Sequence, residues 1–265
     1  MLRLVLVLAV IACRPPPPEV PGGARAALQL SNGHWLVRVH GNGQPLTFVV
    51  DTAASISAVR GAVAARLGVA ATGHTIVNGR AAATTTLDLA IGGVPHRAVR
   101  VAVVDLPELA YRPRVDGILG IDVLSQHDIV LDLHRRQLAL HPRGSIAPRE
   151  MTRVPIERTV DGLVVVQVTI AGDRYPAVLD LGSPNSYLSR AAAAHLNQRR
   201  ETVWGRTLGI GFGDAELVMR GVVVEDLPNF RRFGLGRPVV LLGSTTFRGR
   251  TVAISFADRA AYLSP

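Results

Sequence analysis

The chain has 265 residues, 48% of them hydrophobic, which is enough to bury one large core or two smaller ones. The net charge of +9 comes from arginines scattered along the chain, and only 5% of the residues are aromatic, so a nucleic-acid-binding surface is not indicated. A single cysteine excludes a disulfide within the chain.

The segment 1–12 is interpreted as an export signal. Arg3 precedes an apolar run, Leu4 to Ala12, that is too short for a permanent membrane span but suits the core of a signal peptide. The stretch Val-Ile-Ala-Cys resembles the lipobox of bacterial lipoproteins, although valine stands where that pattern prefers leucine. The resemblance implies that Cys13 is lipidated. The alternative is a plain secretory signal with an incidental cysteine, and both interpretations predict export.

The segment 13–29 is predicted to be a spacer between the lipid and a folded domain. Its four consecutive prolines, Pro15 to Pro18, favour a stiff, extended chain. Together with the lipobox, the spacer implies a protein of the bacterial cell envelope, lipid-anchored on the periplasmic or outer side of a membrane.

The next segments predict β structure with few helices, because short stretches of Val, Leu and Ile are bounded by Gly and Pro. The stretch HWLVRVHGNGQPLTFVVD contains an alternating strand, a glycine turn, and a second strand that ends in Asp51. A short helical pattern, AVRGAVAARLG, follows. A carboxylate at the end of a buried strand is costly unless a partner uses it.

The second half of the chain repeats this pattern. GLVVVQVTIAGDRYPAVLD ends in Asp180, 129 residues after Asp51, and the helical LSRAAAAHLN follows. Later matches keep the same order: VVDLP with VEDLP, GILGIDVL with VLLGSTTF, and a closing strand pair in each half. These repeats predict two similar lobes, 30–142 and 159–265, joined by a linker, 143–158.

Two similar lobes usually pack about a pseudo-two-fold axis, as the subunits of a symmetric dimer do. If the two aspartate loops meet at that axis, Asp51 and Asp180 become neighbours in a cleft. Two carboxyl groups a few ångströms apart do not both ionise, so the pair is expected to share one proton.

The motifs resemble those of aspartic proteases. Asp51-Thr52-Ala53-Ala54 and Asp180-Leu181-Gly182-Ser183 are similar to the Asp-Thr/Ser-Gly signature of that clan, and the segments ending in Gly120 and Gly243 are similar to its hydrophobic-hydrophobic-glycine element. The resemblance implies a mainly β fold of two retropepsin-like closed β-barrel lobes related by a pseudo-two-fold axis, with a few short helices. It also implies that one aspartate activates a water while the other donates a proton.

Two positions depart from the family pattern. Leu181 has no hydroxyl to bond across the axis, whereas Thr52 can still bond to the backbone of the opposite loop. Ala53 replaces a glycine and adds a methyl group near the site. Ser183 has no counterpart in the first lobe, where Ala54 stands, so we expect its hydroxyl to favour the ionised form of Asp180 while Asp51 holds the proton.

Substrate-covering hairpins, or flaps, are predicted in both lobes. Asn78 and Gly79 form the turn pair expected of a tight hairpin. In the second lobe the candidates are Trp204, Gly209 and Gly211. The Gly-x-Gly-x-Gly pattern there lacks the lysine and the strand-to-helix context of a phosphate loop, so nucleotide binding is not indicated.

No metal site is predicted, because the eight histidines are dispersed and no His-Glu-x-x-His occurs. Four aspartates near Gly120 are interpreted as turn and solvated-edge residues rather than ligands: Asp116, Asp122, Asp128 and Asp132.

The resemblance implies an aspartic endopeptidase that acts on a peptide or protein substrate without a cofactor. The alternative is a pseudoprotease that binds envelope peptides without cutting them, because of Ala53 and Leu181. A duplicated β domain without a ligand would not account for the paired aspartates. A monomer is expected, since the duplication already supplies a partner lobe, and the N-terminal lipid is the predicted membrane contact.

Overall fold

The computed structural model describes residues 22–105, 115–146, 148–158, 162–196, 207–227, 230 and 238–265. In these residues the fold is mainly β, as predicted, with curled, barrel-like sheets and a few short helices. Within the same ranges, no helix is both long enough and apolar enough to cross a membrane.

The strands of the first half are β1 (Ala24–Ser31), β2 (His34–Gly41), β3 (Gln44–Val50), β4 (Ala58–Arg60), β5 (Gly73–Val77), β6 (Arg80–Ile91), β7 (Val94–Val104), β8 (Gly117–Leu119), β9 (Asp128–Asp132) and β10 (Gln137–His141). The helices of this half are α1 (Gly61–Arg66) and α2 (Ile121–Leu124).

The strands of the second half are β11 (Thr152–Pro155), β12 (Glu157–Arg158), β13 (Val164–Ile170), β14 (Asp173–Asp180), β15 (Tyr187–Leu188), β16 (Thr207–Phe212), β17 (Ala215–Arg220), β18 (Val223–Val224), β19 (Val240–Gly243), β20 (Thr251–Ser255) and β21 (Ala260–Leu263). Helix α3 (Arg190–His195) and a short 3-10 helix (Ser244–Phe247) accompany them.

A closed barrel forms the body of the first half. Its strands pair in the order β2-β3-β8-β4-β7-β6, and β6 pairs back to β2. The turn between β2 and β3 places Asn42 and Gly43 at φ values of 47° and 81°, the left-handed conformations of a tight two-residue hairpin. Alternate residues of β3, Phe48 and Val50, face the main core, while Val49 is buried on the opposite face. Strand β3 is therefore buried on both faces up to the residue before Asp51.

The strands around Asp180 have the same pairing pattern. Strand β14 is parallel to β19, as β3 is to β8, and β15 is antiparallel to β19, as β4 is to β8. Strand β15 is also parallel to β18, as β4 is to β7. Strand β16 pairs with β13 and β17, and β17 leads into β18 along the chain. Both aspartates therefore lie at the same place in similarly paired sheets.

A shared sheet joins the two halves, with the strand order β1-β10-β9-β20-β21-β11. The contact between the halves is the antiparallel pair β9 and β20. Val130 pairs with Ala253 there, and each is the third residue of its matching segment, DIVLDLHRRQLAL and TVAISFADRAAYL. Equivalent residues that pair antiparallel with each other lie on a local two-fold axis.

Two predicted boundaries differ from the structure. Strand β1 begins at Ala24, inside the predicted spacer 13–29, and β11 lies inside the predicted linker 143–158. Their sequences, ARAALQLS and TRVP, contain few large apolar residues and therefore give a weak strand pattern. They become strands because β10 and β21 provide backbone partners.

Candidate active site

The site is built where β3 and β14 end. Asp51 follows the last residue of β3, and its backbone N–H donates to the carbonyl of Leu119 at 3.0 Å. Asp180 is the last residue of β14 and lies opposite Gly243 on β19. Both aspartates keep part of their surface exposed although protein surrounds them. They are therefore partly accessible from outside rather than sealed in a core.

Gly120 and Gly243 pack directly against the two aspartate loops. A Cβ built on Gly120 would lie 2.7 Å from the carbonyl oxygen of Ala54, and one on Gly243 would lie 2.1 Å from that of Asn185. These positions cannot hold a side chain without moving backbone. The residues after the glycines donate to the loops, Ile121 N–H to Ala54 and Ser244 N–H to Ser183, each at 2.8 Å.

Two serines under the loops complete this support, and the sequence analysis missed them. The hydroxyl of Ser57 donates to Asp122 at 2.7 Å and accepts from Gly120 N–H at 2.9 Å. In the second half the hydroxyl of Ser186 accepts from Gly243 N–H at 3.0 Å and bonds to Thr246 at 2.8 Å. The sequence does contain a sign of this role, because Ser57 follows Asp51 at the same spacing as Ser186 follows Asp180.

Thr52 links the two loops across the centre of the molecule. Its hydroxyl donates to the carbonyl of Leu179 at 2.5 Å and accepts from the N–H of Leu181 at 3.0 Å. Thr52 is fully buried, so both bonds are shielded from water. The side chain of Leu181 is also fully buried, in the hydrophobic core. The link by side-chain hydroxyl is therefore one-sided, as the sequence indicates.

The two carboxyl groups influence each other. A Cβ built on Gly182 would lie 2.4 Å from Cγ of Asp51, so the first carboxyl packs on the backbone of the second loop. Burial raises the pKa of Asp51 and raises that of Asp180 well above its usual range, and the negative charge of Asp51 raises the pKa of Asp180 further. Backbone N–H groups oppose this shift on each side. The arrangement favours one proton shared by the pair.

The expected role of Ser183 is wrong. Its hydroxyl donates to the carbonyl of Asn185 at 2.9 Å, and its backbone N–H donates to Asp180 Oδ1 at 2.9 Å. On the other side, the N–H of Ala53 donates to Asp51 Oδ1 at 2.8 Å. Each carboxyl thus accepts a comparable backbone bond, so the serine provides no reason to place the charge on Asp180.

Ala53 fits its loop without backbone strain, since it is not among the residues with positive φ. The corresponding residue of the second loop, Gly182, has no room for a methyl group because Asp51 fills the space. The two aspartate loops therefore occupy equivalent positions, but their third residues make different contacts, so Ala53 and Gly182 cannot be exchanged.

His34 and Gly33, at the turn between β1 and β2, also reach the second loop, and the sequence analysis did not identify them. His34 Nδ1 lies 2.7 Å from the carbonyl oxygen of Gly182. The carbonyl of Gly33 accepts from the hydroxyl of Ser244 at 2.9 Å, and Pro184 packs against Gly33. These contacts could not be anticipated, because the hydrogen bonds join residues 148 and 211 positions apart in the chain.

The first predicted flap has the expected hairpin geometry. Asn78 and Gly79, at φ values of 49° and 77°, form the turn between β5 and β6. Ile76, next to this turn, is 52% exposed, which is unusual for a large apolar side chain in this molecule. An exposed apolar side chain on a hairpin suits contact with a peptide.

The second predicted flap is not formed by Gly209 and Gly211. Both lie inside β16, and the turn that follows contains Gly213. A Cβ built on Gly213 would lie 2.8 Å from Cγ2 of Thr152, so this turn packs on β11. Strand β16 of this hairpin pairs with β13 in the same way that the end of β6 pairs with β2. The β16–β17 hairpin therefore corresponds to the β6–β7 hairpin of the first half and not to the first flap. Trp204 and Cys13 lie outside the described residues.

The four aspartates near Gly120 make separate contacts, and the expectation that they are solvated is wrong for Asp128 and Asp132, which are buried. Asp116 accepts from Thr47 N–H at 2.9 Å, Asp132 pairs with Arg135 at 2.7 Å, and Asp128 accepts from three donors on two segments. Asp122 bonds to Ser57, and burial raises its pKa. Within the described ranges, no group of three His, Cys, Asp or Glu residues is placed to hold a metal ion.

Comparison with known proteins agrees with this geometry in the first half of the chain. A search of curated proteins finds no match. One family model matches residues 37–123, a segment that contains Asp51, the β5–β6 hairpin and Gly120. That family is described as aspartyl protease, and over this segment the chain is similar to it.

Proposed function

We propose that the chain is an aspartic endopeptidase that hydrolyses peptide bonds with a water held between Asp51 and Asp180. The observation that carries the proposal is the contact between the halves at the dyad. The carboxyl of Asp51 packs on Gly182 of the second loop, and its charge raises the pKa of Asp180.

In the proposed mechanism, the ionised carboxyl takes a proton from the water as it attacks the peptide carbonyl carbon. The protonated carboxyl donates to the developing oxyanion and then to the leaving nitrogen. Thr52 holds the two loops in register through its bonds to Leu179 and Leu181. The β5–β6 hairpin is proposed to cover an extended peptide in the cleft.

The test is to incubate the purified protein with a peptide library at pH values from acid to neutral and to identify products by mass spectrometry. Asp51→Asn and Asp180→Asn are each expected to lower the cleavage rate by roughly 10²–10⁴-fold, the contribution of a general acid or base. Asp173→Asn, an exposed residue at the start of the same strand as Asp180, is the matched control and should cleave normally.

The pseudoprotease alternative predicts a different result. If Leu181 leaves the loops too loosely joined for catalysis, the wild-type protein would bind library peptides but release no products at any pH. Binding without cleavage would overturn the endopeptidase proposal and support the alternative.

We also propose that the protein is an exported, lipid-anchored monomer of the bacterial cell envelope, in which two duplicated lobes supply one site. The support is the sequence of residues 1–18 and the repeated pairing pattern around the two aspartates. Mass spectrometry of the N-terminal peptide should find a lipidated Cys13. A soluble protein with an unmodified cysteine would contradict the anchor, and Cys13→Ser provides the control.

A further inference from the structure

His34 makes a hydrogen bond between the two halves at the centre of the molecule. Its Nδ1 lies 2.7 Å from the carbonyl oxygen of Gly182, and the residue is only 8% exposed. A carbonyl oxygen only accepts, so Nδ1 carries the proton. Since water has little access, this bond is not readily exchanged for a bond to solvent.

Gly182 is the residue that touches both carboxyl groups. Its backbone N–H bonds to Asp180 and lowers the pKa that burial raises. Its Cα packs against the carboxyl of Asp51, with no room for a side chain. A shift of Gly182 would therefore alter the position of one carboxyl relative to the other.

The bond from His34 has no mirror in the other direction. Gly33, the residue before His34, has a φ of 82°, and the corresponding glycine of the second half, Gly162, has a φ of 76°. The residue after the second glycine is Leu163, which is buried and has no donor. Leu181 likewise offers no hydroxyl. The side-chain hydrogen bonds described to the backbone of the second aspartate strand and loop are thus made by the first half, through Thr52 and His34.

We propose that His34 is a positioning residue that holds Gly182 and thereby sets the separation of the Asp51 and Asp180 carboxyl groups. The inference rests on the proposed endopeptidase function for its kinetic consequences, but its effect on the dyad is independent of turnover. The contact that carries this role is with the backbone of Gly182. His34 acts through Gly182 and compensates for the hydroxyl that Leu181 lacks.

The experiment compares His34→Leu, which copies Leu163 and removes the donor, with His34→Asn, whose amide N–H can occupy the place of Nδ1. The carboxyl groups are titrated by NMR on aspartate labelled with ¹³C. In His34→Leu the two apparent pKa values of the dyad should move closer together, because the carboxyl groups separate and repel less. His34→Asn should restore the wild-type titration.

Kinetics provide a second readout. If the protein cleaves peptides, His34→Leu should lower kcat about 10–100-fold with little change in KM, because small misplacement of catalytic groups costs rate rather than binding. Ser255→Ala is the control. It removes another buried bond between the halves, to Asp128 at 3.1 Å, and should lower stability without changing kcat or the dyad titration.

The outcomes separate this inference from the proposed function. A wild-type protein without peptidase activity would overturn the endopeptidase proposal. The titration of the two aspartates would still test the positioning role of His34. An unchanged titration in folded His34→Leu, or a failure of His34→Asn to restore it, would overturn the positioning role. If His34→Leu does not fold, the ¹⁵N shift of His34 in the wild-type protein decides: an unprotonated Nδ1 would rule out the bond to Gly182.

Discussion

Asp51 and Asp180 are placed where a carboxyl group is unfavourable for folding. Each ends a buried strand, and burial raises the pKa of both. The charge of Asp51 adds to the effect on Asp180. Such a pair destabilises the folded chain at neutral pH, and a proposed catalytic role accounts for its presence.

The pH dependence of stability follows from the direction of these shifts. An unfolded aspartate has a pKa near 3.8, and the folded pKa is higher, so the native state binds a proton at pH values where the unfolded state does not. Stability from this source therefore increases as the pH falls through the native pKa towards 3.8. Asp180→Asn should raise the free energy of unfolding at pH 7 on the order of 1 kcal/mol, with a smaller gain at acid pH. Urea unfolding at several pH values measures this.

A pair of histidines contributes with the opposite sign. His96 Nε2 lies 2.8 Å from His127 Nε2, and burial lowers the pKa of both below 6.5. Stability from this pair is lost as the pH falls below that value, because the unfolded state then binds more protons. Both Asp180→Asn and the wild-type protein contain these histidines, so their contribution cancels when the two free energies of unfolding are subtracted.

A gain in the free energy of unfolding from Asp180→Asn that did not vary with pH would contradict the assignment of Asp51 and Asp180 as a coupled pair.

At the scale of the elements, the two aspartate loops are supported by a strand that ends in glycine. Strands β8 and β19 run parallel to the strands that carry the aspartates, so Gly120 and Gly243 arrive directly under the loops. The serine hydroxyls of Ser57 and Ser186 then bond to these glycines. The support therefore combines these hydroxyl bonds with close backbone contacts, which leave no room for a Cβ on either glycine.

Gly243→Ala should destabilise the protein by about 1–3 kcal/mol, the usual cost of overpacking. The new Cβ would lie 2.1 Å from the carbonyl oxygen of Asn185, so backbone must move, and the proposed peptidase activity should fall. Thermal unfolding and the cleavage assay measure the two effects.

Gly209→Ala is the matched control for this substitution. Gly209 lies in β16, has no positive φ, and has open space where a Cβ would be placed. Its replacement should change stability by no more than about 0.5 kcal/mol. Equal losses in the two variants would show that the contact with Asn185 is not what requires glycine at residue 243.

At the scale of the whole molecule, the two halves are joined through the shared sheet and one buried carboxylate. Asp128 of β9 accepts from Gly144 N–H at 2.6 Å, Ser255 hydroxyl at 3.1 Å and Phe256 N–H at 2.9 Å. The acceptor belongs to the first half, the first donor to the segment that follows β10, and the other two donors to the second half. The common acceptor, Asp128, lies near Val130 on the local two-fold axis. Because its bonds join the two halves, we expect the halves to unfold together.

Asp128→Ala should lower the free energy of unfolding by about 3 kcal/mol, because buried donors lose their acceptor. Since the lost acceptor serves both halves, calorimetry should record a single transition at a lower temperature. Two separate transitions, with only one of them shifted, would contradict cooperative unfolding. Asp173→Asn, exposed and on one half, should leave the transition within about 0.5 kcal/mol of wild type.

The local pattern of the sequence determined much of this architecture. Alternating apolar residues and a glycine-containing turn predicted the β2–β3 hairpin and the strand that delivers Asp51. The repeat of that pattern predicted a second, equivalent aspartate. The absent hydroxyl at Leu181 was also readable, because it depends only on residue type.

Tertiary structure alone decided what crosses between the halves. The bond from His34 to Gly182, the role of Ser183 and the strand state of β1 depend on partners far along the chain, and residue type gives no information about which backbone group lies nearby. The β16–β17 hairpin was misassigned for the same reason, since glycine spacing does not show which strand a segment pairs with. The periodicity of the sequence shows which residues of a strand or helix are buried. The positions of the two carboxyl groups depend instead on how the two halves pack against each other.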